Sequence, residues 1–372
     1  MNVAALAILT AMDQPIRIKD IAERTGVSIG TVDRVLHNRG HVSAKAREKV
    51  LRAMEEMGYK PNILARMLVN NRPFRIACLL PDFRQDAYWV QPKEGIEKAV
   101  EAVRHYNVQA DWFFFDMFNA GEFPSIARQA LDSAPDALIV APVFRQEGEL
   151  FLREAAEQQV PVIMINTDLE TGQYLCYIGQ ESYQSGLLAG RLLDFSLDSG
   201  DQALVLNLDR GVANARHLLD KEQGFRDYFS GVFDKMIGVH SEIFEDFDNA
   251  ALLRTWMAAQ IERFPRLRGI FVTNSRAYKL VAALDDDTLR RIRIVGFDLV
   301  KPNLKYLEEN KINFLINQNA WHQGYLGILS AVNNLILSKD IHRHQYLPLD
   351  IVVRENVNYY LSRTLELPLI AI

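Results

Sequence analysis

From Arg75 to Asn317 short unbroken apolar runs alternate with longer amphipathic segments, and this pattern constrains the fold more than any other feature. Ile76-Ala77-Cys78-Leu79-Leu80, Ala137-Leu138-Ile139-Val140 and Ala203-Leu204-Val205-Leu206 are such runs. A strand apolar on every residue is covered on both faces, as in a parallel sheet between layers of helices. Helix 91–105 is followed by strand 108–115, helix 123–132 by strand 137–141, and helix 148–158 by strand 161–166. Tyr174 to Ile178 reads as a crossing strand, and Ser182 to Leu197 as a long helix. A second series begins at Gln202 and continues through strands near 236–244, 269–273, 292–297 and 312–317. Helix 319–338 and a last strand near 346–353 close the chain. Alternation of this kind predicts two doubly wound α/β lobes.

Residues 16–69 do not share the pattern. Ile18, Ile21 and Ala22 make an apolar stripe on one short helix. Gly26, in Thr25-Gly26-Val27-Ser28, tolerates the positive φ of a tight turn. Ser28 is placed to cap a second helix by accepting from an orphan N–H. Val32, Val35 and Leu36 recur at the spacing of one buried face. Two short helices joined by a glycine-containing turn are the ingredients of a helix-turn-helix, whose second helix enters the DNA major groove. After Ser43, a third helix over 44–57 carries Ala46, Val50, Ala53, Met54 and Met57 on one face, and Gly58 ends it. Pro61 then forces Lys60 out of the helical region, and Asn62 can cap one more very short helix. A helix of that length is not stable alone in water, so this segment orders only against a partner.

The runs DIAERTGVSIGTVDRVL, HVSAKAREKVLRAMEEMGYKPN and ARML resemble the lactose-repressor/galactose-repressor (LacI/GalR) family of transcription regulators. The resemblance implies an N-terminal all-α helix-turn-helix headpiece plus a two-lobed periplasmic-binding-protein-like (type I) doubly wound α/β domain. The expected organisation is an arm over 1–15, a DNA-binding domain over 16–60, a hinge helix and linker over 61–72, and an effector-binding and dimerisation domain over 73–372. Its first lobe would take about 73–178 and 319–345, and its second about 179–318 and 346–372. The resemblance also implies a homodimer on double-stranded operator DNA, with half-sites about one helical turn apart. Ile29, Gly30 and Arg34 fall at its base-reading positions. Arg34 can contact guanine in a bidentate manner, worth roughly 1–3 kcal/mol of discrimination. Ile29 can meet a thymine methyl. Gly30 brings no side chain and costs roughly 1 kcal/mol against Ala in a helix. Asp33 replaces the family's usual Ser and either accepts from cytosine or pairs with a nearby Arg. Ser28, Thr31, His41, Ser43 and Asn62 are backbone-positioning candidates. Leu68, with Ala65 beside it, falls at the family's minor-groove wedge, which kinks the duplex.

Charge follows the same division. Residues 1–72 hold 12 Lys and Arg against 7 Asp and Glu, and the remainder 30 against 40. A basic segment on an acidic body fits nucleic-acid binding by the first part alone. The two cysteines, Cys78 and Cys176, sit in apolar strand-like runs and read as small buried hydrophobes, with no disulfide framework, metal site or cofactor indicated. The opening MNVAALAILT lacks a basic leader region and is expected to be an extra helix or arm. No run reaches the ~20 apolar residues of a membrane span, so a cytoplasmic protein is expected.

In open α/β sheets ligands bind off the carboxyl ends of the strands. The residues there are Asp82, Asp86, Tyr88 and Trp89 after the first strand, then Asn166, Thr167, Arg216, Asn274, Asp298 and Gln318. Carboxylates and amides serve vicinal hydroxyls, and aromatic faces cover the C–H side of a sugar ring. A small-molecule carbohydrate effector is therefore expected. The body resembles the ribose/galactose-type sugar-binding proteins, in whose pattern Asp298, Asn274, Gln318 and the Tyr88-Trp89 pair match sugar-contacting positions. Arg216 lies at their binding Arg, though the segment up to Gln223-Gly224-Phe225 is longer than usual. Asn166-Thr167 stands where the ribose binders have Asp-Arg, which argues for a sugar or sugar derivative other than ribose. A sugar-binding receptor without a DNA role leaves 16–69 unexplained. An enzyme lacks a nucleophile elbow, phosphate loop or metal spacing. The tail over 359–372, broken by Pro368, does not sustain the heptads of a tetramerising coiled coil.

Overall fold

The computed structural model describes residues 16–36, 42–57, 59, 72–169, 172–231 and 235–361. The arm over 1–15, His41, the hinge segment with Asn62, Ala65 and Leu68, and the tail beyond 361 lie outside the described residues. The chain divides into two compact units, one holding residues 1–70 and the other most of the rest.

Among its described residues the first unit has three helices, α1 (Ile18–Thr25), α2 (Ile29–Leu36) and α3 (Ala44–Met57). Gly26 ends α1 at φ 67°, and its N–H donates to the Ala22 carbonyl at 2.8 Å. Asp20 accepts from the Arg17 N–H at 2.7 Å at the start of the same helix. Ser28 caps α2 by accepting from the Thr31 N–H at 3.1 Å. Ser43 caps α3 by accepting from Ala46 N–H at 3.3 Å. Ile21, Ala22, Val32, Val35, Val50 and Ala53 form the buried core.

The second unit holds two sheets with one winding order. The first is built from β1 (Phe74–Pro81), β2 (Val108–Phe115), β3 (Ala137–Val140), β4 (Val162–Ile165), β5 (Cys176–Gly179) and β11 (His344–Tyr346), ordered β11-β5-β4-β3-β1-β2. The second is built from β6 (Gln202–Asn207), β7 (Gly238–Ile243), β8 (Leu267–Val272), β9 (Arg293–Phe297), β10 (Phe314–Asn317) and β12 (Asp350–Val352), ordered β12-β10-β9-β8-β6-β7. All pairings are parallel except β10 with β12. The single last strand expected near 346–353 is thus two short strands, one in each sheet. Pro348 lies between them, and Leu347 donates its N–H to the Gly179 carbonyl before the chain crosses.

Helices cover both faces of each sheet. On the first, α4 (Val90–Ala102) crosses α13 (Ala320–Ala331), and a Cβ on Gly95 or Gly324 would strike the backbone of the partner helix at Trp321 or Pro92. On the second, α7 (Ser182–Asp194) packs against α8 (Arg216–Gly231). The helix expected over 319–338 is α13 followed by a π-turn over 332–336. No described helix is long and apolar enough to cross a membrane.

Candidate functional site

Each sheet has a point where winding reverses, between β1 and β3 in the first and between β6 and β8 in the second. Loops diverge there and leave a crevice beyond the strand ends. The two crevices face each other across one cavity of about 60 Å³. Asp86, Tyr88 and Trp89 reach it from after β1, Val143 and Phe144 from after β3, and Asn166 from after β4. The second sheet supplies Asp209 and Gly211 after β6, Asn274, Ser275 and Arg276 after β8, and Asp298 after β9. His217 and Lys221 enter from α8, and Gln318 from the crossing after β10.

Asn166 and Asp298 occupy matching strand ends, both left-handed, at φ 68° and 66°. Asn and Asp are among the few non-glycine residues that visit this region readily. Their N–H groups donate back into the sheets, to Ile178 and Ile316 at 3.3 and 3.0 Å. Asn166 Nδ2 donates to the Tyr88 hydroxyl at 2.8 Å. Asp298 Oδ2 accepts from Gln318 Nε2 at 2.7 Å, while its buried Oδ1 has no partner among the described residues. Burial pushes the Asp298 carboxyl above the usual carboxylate range, with the nearby Lys221 charge opposing the shift. Burial lowers Lys221 from the usual ammonium range, and Asp298 opposes that.

Arg276 is the centre of the charged part. Only 4% exposed, it donates to Asp86 Oδ2 at 2.8 Å, to Asp209 Oδ2 at 2.7 Å and to the Leu208 carbonyl at 2.8 Å. Asp86 comes from the first sheet's side, so this guanidinium joins the two lobes. Burial raises the Asp209 carboxyl, with Arg276 pulling against it. Other bonds across the cleft are Ser275 Oγ to Asp86 at 3.2 Å, Asn214 Nδ2 to Glu147 at 2.7 Å and Arg216 to the Leu169 carbonyl at 3.1 Å. The lobes are closed on each other.

Several expected ligand residues stand elsewhere. Asp82 is outside the cavity. Strand β1 runs to Pro81 and the chain turns, so the crevice position passes to Asp86. Asp82 instead accepts from the Arg84 N–H at 2.9 Å and pairs with its guanidinium, which holds the carboxyl below the usual range. Arg216 is also outside it. On α8 it points into a second cavity with Asp168, Glu181 and Asp220, and donates to Asp220 at 3.3 Å. The residues of α8 that face the first cavity are His217 and Lys221, four apart and therefore on one helix face. Thr167 is buried beside the cavity. Its hydroxyl donates to Asn166 Oδ1 at 3.1 Å and meets His217 Nδ1 at 3.3 Å. Asn274 lines the cavity with its amide engaged, donating to the Leu208 carbonyl at 3.0 Å and accepting from the Arg276 N–H at 3.2 Å. Burial, then the charges of Lys221 and Arg276, push His217 down to about 3, so its imidazole is neutral. Asp209, Lys221, Ser275 and Arg276 were not anticipated. The strand-end rule reaches Asp209 two residues past β6, and the pairing of Lys221 with His217 on one helix face was the available signal for the lysine.

In the helical unit, Ser28, Ile29, Gly30, Arg34 and Ser43 are exposed and Thr31 and Asp33 half-buried. Ile29 is 56% exposed at the start of α2. Arg34 folds back, its Nε donating to the Gly30 carbonyl at 3.0 Å. A Cβ on Gly30 would meet nothing nearer than Ser28 Oγ at 3.9 Å, so packing does not require glycine. Burial and then the charge of Asp33 raise the Tyr59 phenol, placing Asp33 electrostatically beside that tyrosine.

A helix-turn-helix with an exposed reading helix, on a chain whose other unit closes two lobes on a polar cavity, defines a DNA-binding regulator with a ligand-responsive body. Residues 17–62 match the family described as bacterial regulatory proteins, lacI family, and residues 76–339 match the periplasmic binding protein domain. Similar proteins include the HTH-type transcriptional regulator MalR of Streptococcus pneumoniae, 24% identical over 311 residues, covering 81% of this chain and 89% of that protein. The ribose operon repressor of Halalkalibacterium halodurans is 24% identical over 355 residues, covering 91% and 96%. Among solved structures, GanP, a glucose-galactose binding protein from Geobacillus stearothermophilus, superposes with a TM-score of 0.67 at 19% identity, covering 77% of this chain and 99% of that one. The chain belongs to the periplasmic binding protein domain family, and its residues 17–62 are a helix-turn-helix domain of the lacI family of bacterial regulatory proteins. It is a DNA-binding transcriptional regulator.

Proposed function

We propose that this regulator is a cytoplasmic homodimeric repressor whose operator affinity is set by a monosaccharide-sized sugar held between the lobes, without turnover of that sugar. The observation that carries this is the polar cavity at the two facing winding-reversal points, walled on one side by Tyr88 and Trp89. Carboxylates, amides and aromatic faces around one polar space suit a small polyhydroxylated ligand. The names of the ribose operon repressor and of the glucose-galactose binding protein support the same ligand class. Asp86, Tyr88, Trp89, Asn166, Asn274, Asp298 and Gln318 are the proposed effector contacts, with His217, Lys221 and Ser275 added. Ile29 and Arg34 would read bases, with Gly30 at the base-reading position between them, while Ser28, Thr31, Ser43, His41 and Asn62 position the backbone; Asp33 would accept from cytosine or pair with a nearby Arg. Leu68 and Ala65 would enter the minor groove. Because effector and operator each alter the other's affinity by one common factor, the test is direct. A thermal-shift screen of neutral monosaccharides identifies a stabilising sugar. That sugar must then change the affinity for operator DNA in fluorescence anisotropy. A stabilising sugar that leaves DNA affinity unchanged contradicts the proposal.

A further inference from the structure

Two side chains of the cavity have incomplete bonding. Lys221 is 2% exposed, and its ammonium donates to the Thr273 carbonyl at 3.0 Å while lying 3.7 Å from the centroid of the Phe297 ring. An ammonium has three N–H donors; the Thr273 carbonyl takes one, the Phe297 face covers part of the group, and no second oxygen acceptor is within hydrogen-bond distance among the described residues. Asp298 is also 2% exposed, and its Oδ1 receives no bond from the described residues. Within the described residues these two groups are not bonded to each other. A buried polar group left unmatched is costly, and both face one cavity.

The chemistry of a ligand that completes both is restricted. An anion satisfies Lys221 but adds charge beside Asp86, Asp209 and Asp298. A cation satisfies Asp298 but meets Lys221 and Arg276. The other cations of the lining are already engaged, Arg276 by Asp86 and Asp209, and Arg210 by Asp248 and the Glu245 carbonyl. A hydroxyl both donates and accepts, and two neighbouring hydroxyls complete the lysine and the carboxylate together.

We propose that Lys221 is a specificity-determining residue of this cavity, donating to one hydroxyl of a neutral monosaccharide while Asp298 Oδ1 accepts from a neighbouring one, and that the cavity rejects phosphorylated and carboxylated sugars. This rests on the reading of the cavity as a sugar site and narrows the class of sugar. The test is calorimetric titration of the full chain with neutral aldoses and ketoses, each alongside its phosphate and its uronic acid. The tightest sugar is then repeated as a set of monodeoxy derivatives on the wild type, Lys221→Met and Lys221→Gln, with circular dichroism checking the fold. The neutral sugar should bind, and its phosphate and uronate at least tenfold more weakly. Lys221→Met should weaken the neutral sugar at least tenfold. One monodeoxy derivative, weak on the wild type, should lose nothing further on the variant, which a merely structural lysine would not produce. If Lys221→Met does not fold, the same loss is read on Lys221→Gln. Undiminished sugar binding by both variants overturns the assignment of Lys221 alone. Tighter binding of the phosphate than of its parent overturns the neutral class. No binding by any sugar overturns both this proposal and the sugar reading beneath it.

Discussion

Removing Arg276 tests how the lobes are held closed. Its guanidinium spans Asp86 on one lobe and Asp209 on the other at 2.8 and 2.7 Å, with side chains 4%, 11% and 13% exposed. Arg276→Met keeps much of the volume and deletes the charge, leaving two carboxylates buried near each other. Deleting one partner of a buried ion pair costs about 3–5 kcal/mol. The chain can relieve part of that by opening the cleft and hydrating both carboxylates. The variant should therefore lose about 3–5 kcal/mol in urea unfolding, or else show a larger radius of gyration in small-angle scattering without sugar. In the second case sugar affinity falls, because binding must also close the lobes. Adding Asp86→Asn should recover part of the loss by removing one stranded charge. An unfolding free energy within about 0.5 kcal/mol of the wild type, together with an unchanged radius of gyration, refutes the argument.

Three further outcomes are expected. Gly30→Ala should stabilise α2 by roughly 1 kcal/mol in thermal melts, since a Cβ there has open space, yet weaken operator binding in anisotropy; unchanged DNA affinity would take Gly30 off the DNA face. His217 has its folded pKa depressed to about 3 from an ordinary 6.5, so the unfolded chain binds the extra proton between those values and stability falls as pH drops through that window. His217→Gln should remove a slope of up to ~1.4 kcal/mol per pH unit from urea titrations between pH 4 and 6 (roughly the middle of that window), and an unaltered slope would mean the imidazole is not held neutral by its surroundings. Asp298 is shifted the other way. Its raised carboxyl holds a proton longer in the folded state, so stability falls as pH rises above the ordinary carboxyl range. Asp298→Asn should flatten that fall and abolish the sugar response in the same preparation, and a normal sugar titration would remove Asp298 from the pocket.

The fold was legible because both lobes use strands apolar on every residue, such as Ala137–Val140, and these have one architectural explanation. The split of the last strand was not legible. His344–Tyr346 and Asp350–Val352 are short, partly exposed edge strands whose membership is set by where the chain crosses. Strand-end reasoning placed Asp298, Asn274 and Asn166 at the crevice, where they line the cavity, because a strand end fixes its next residue. It failed for Asp82, where the turn after β1 carries the crevice position four residues further on, and for Arg216, where helix phase decides. Arg276 was hidden for a related reason. Its role depends on Asp209 of its own lobe and Asp86 of the other, both distant in sequence and brought to it by the tertiary fold. In the helical unit, caps at Ser28 and Ser43 follow from local chemistry, whereas the approach of Asp33 to Tyr59 needs the tertiary fold.

The central claim is that one chain reads DNA sequence under the control of a small sugar. Selection of binding sites from random duplex DNA by the full chain, with and without the stabilising sugar, measures both parts at once. A palindromic site should be enriched in one condition and lost in the other. Arg34→Ala should relax the preference at a single base pair of each half-site. Enrichment of no defined sequence, or of one palindrome equally with and without the sugar, would contradict it.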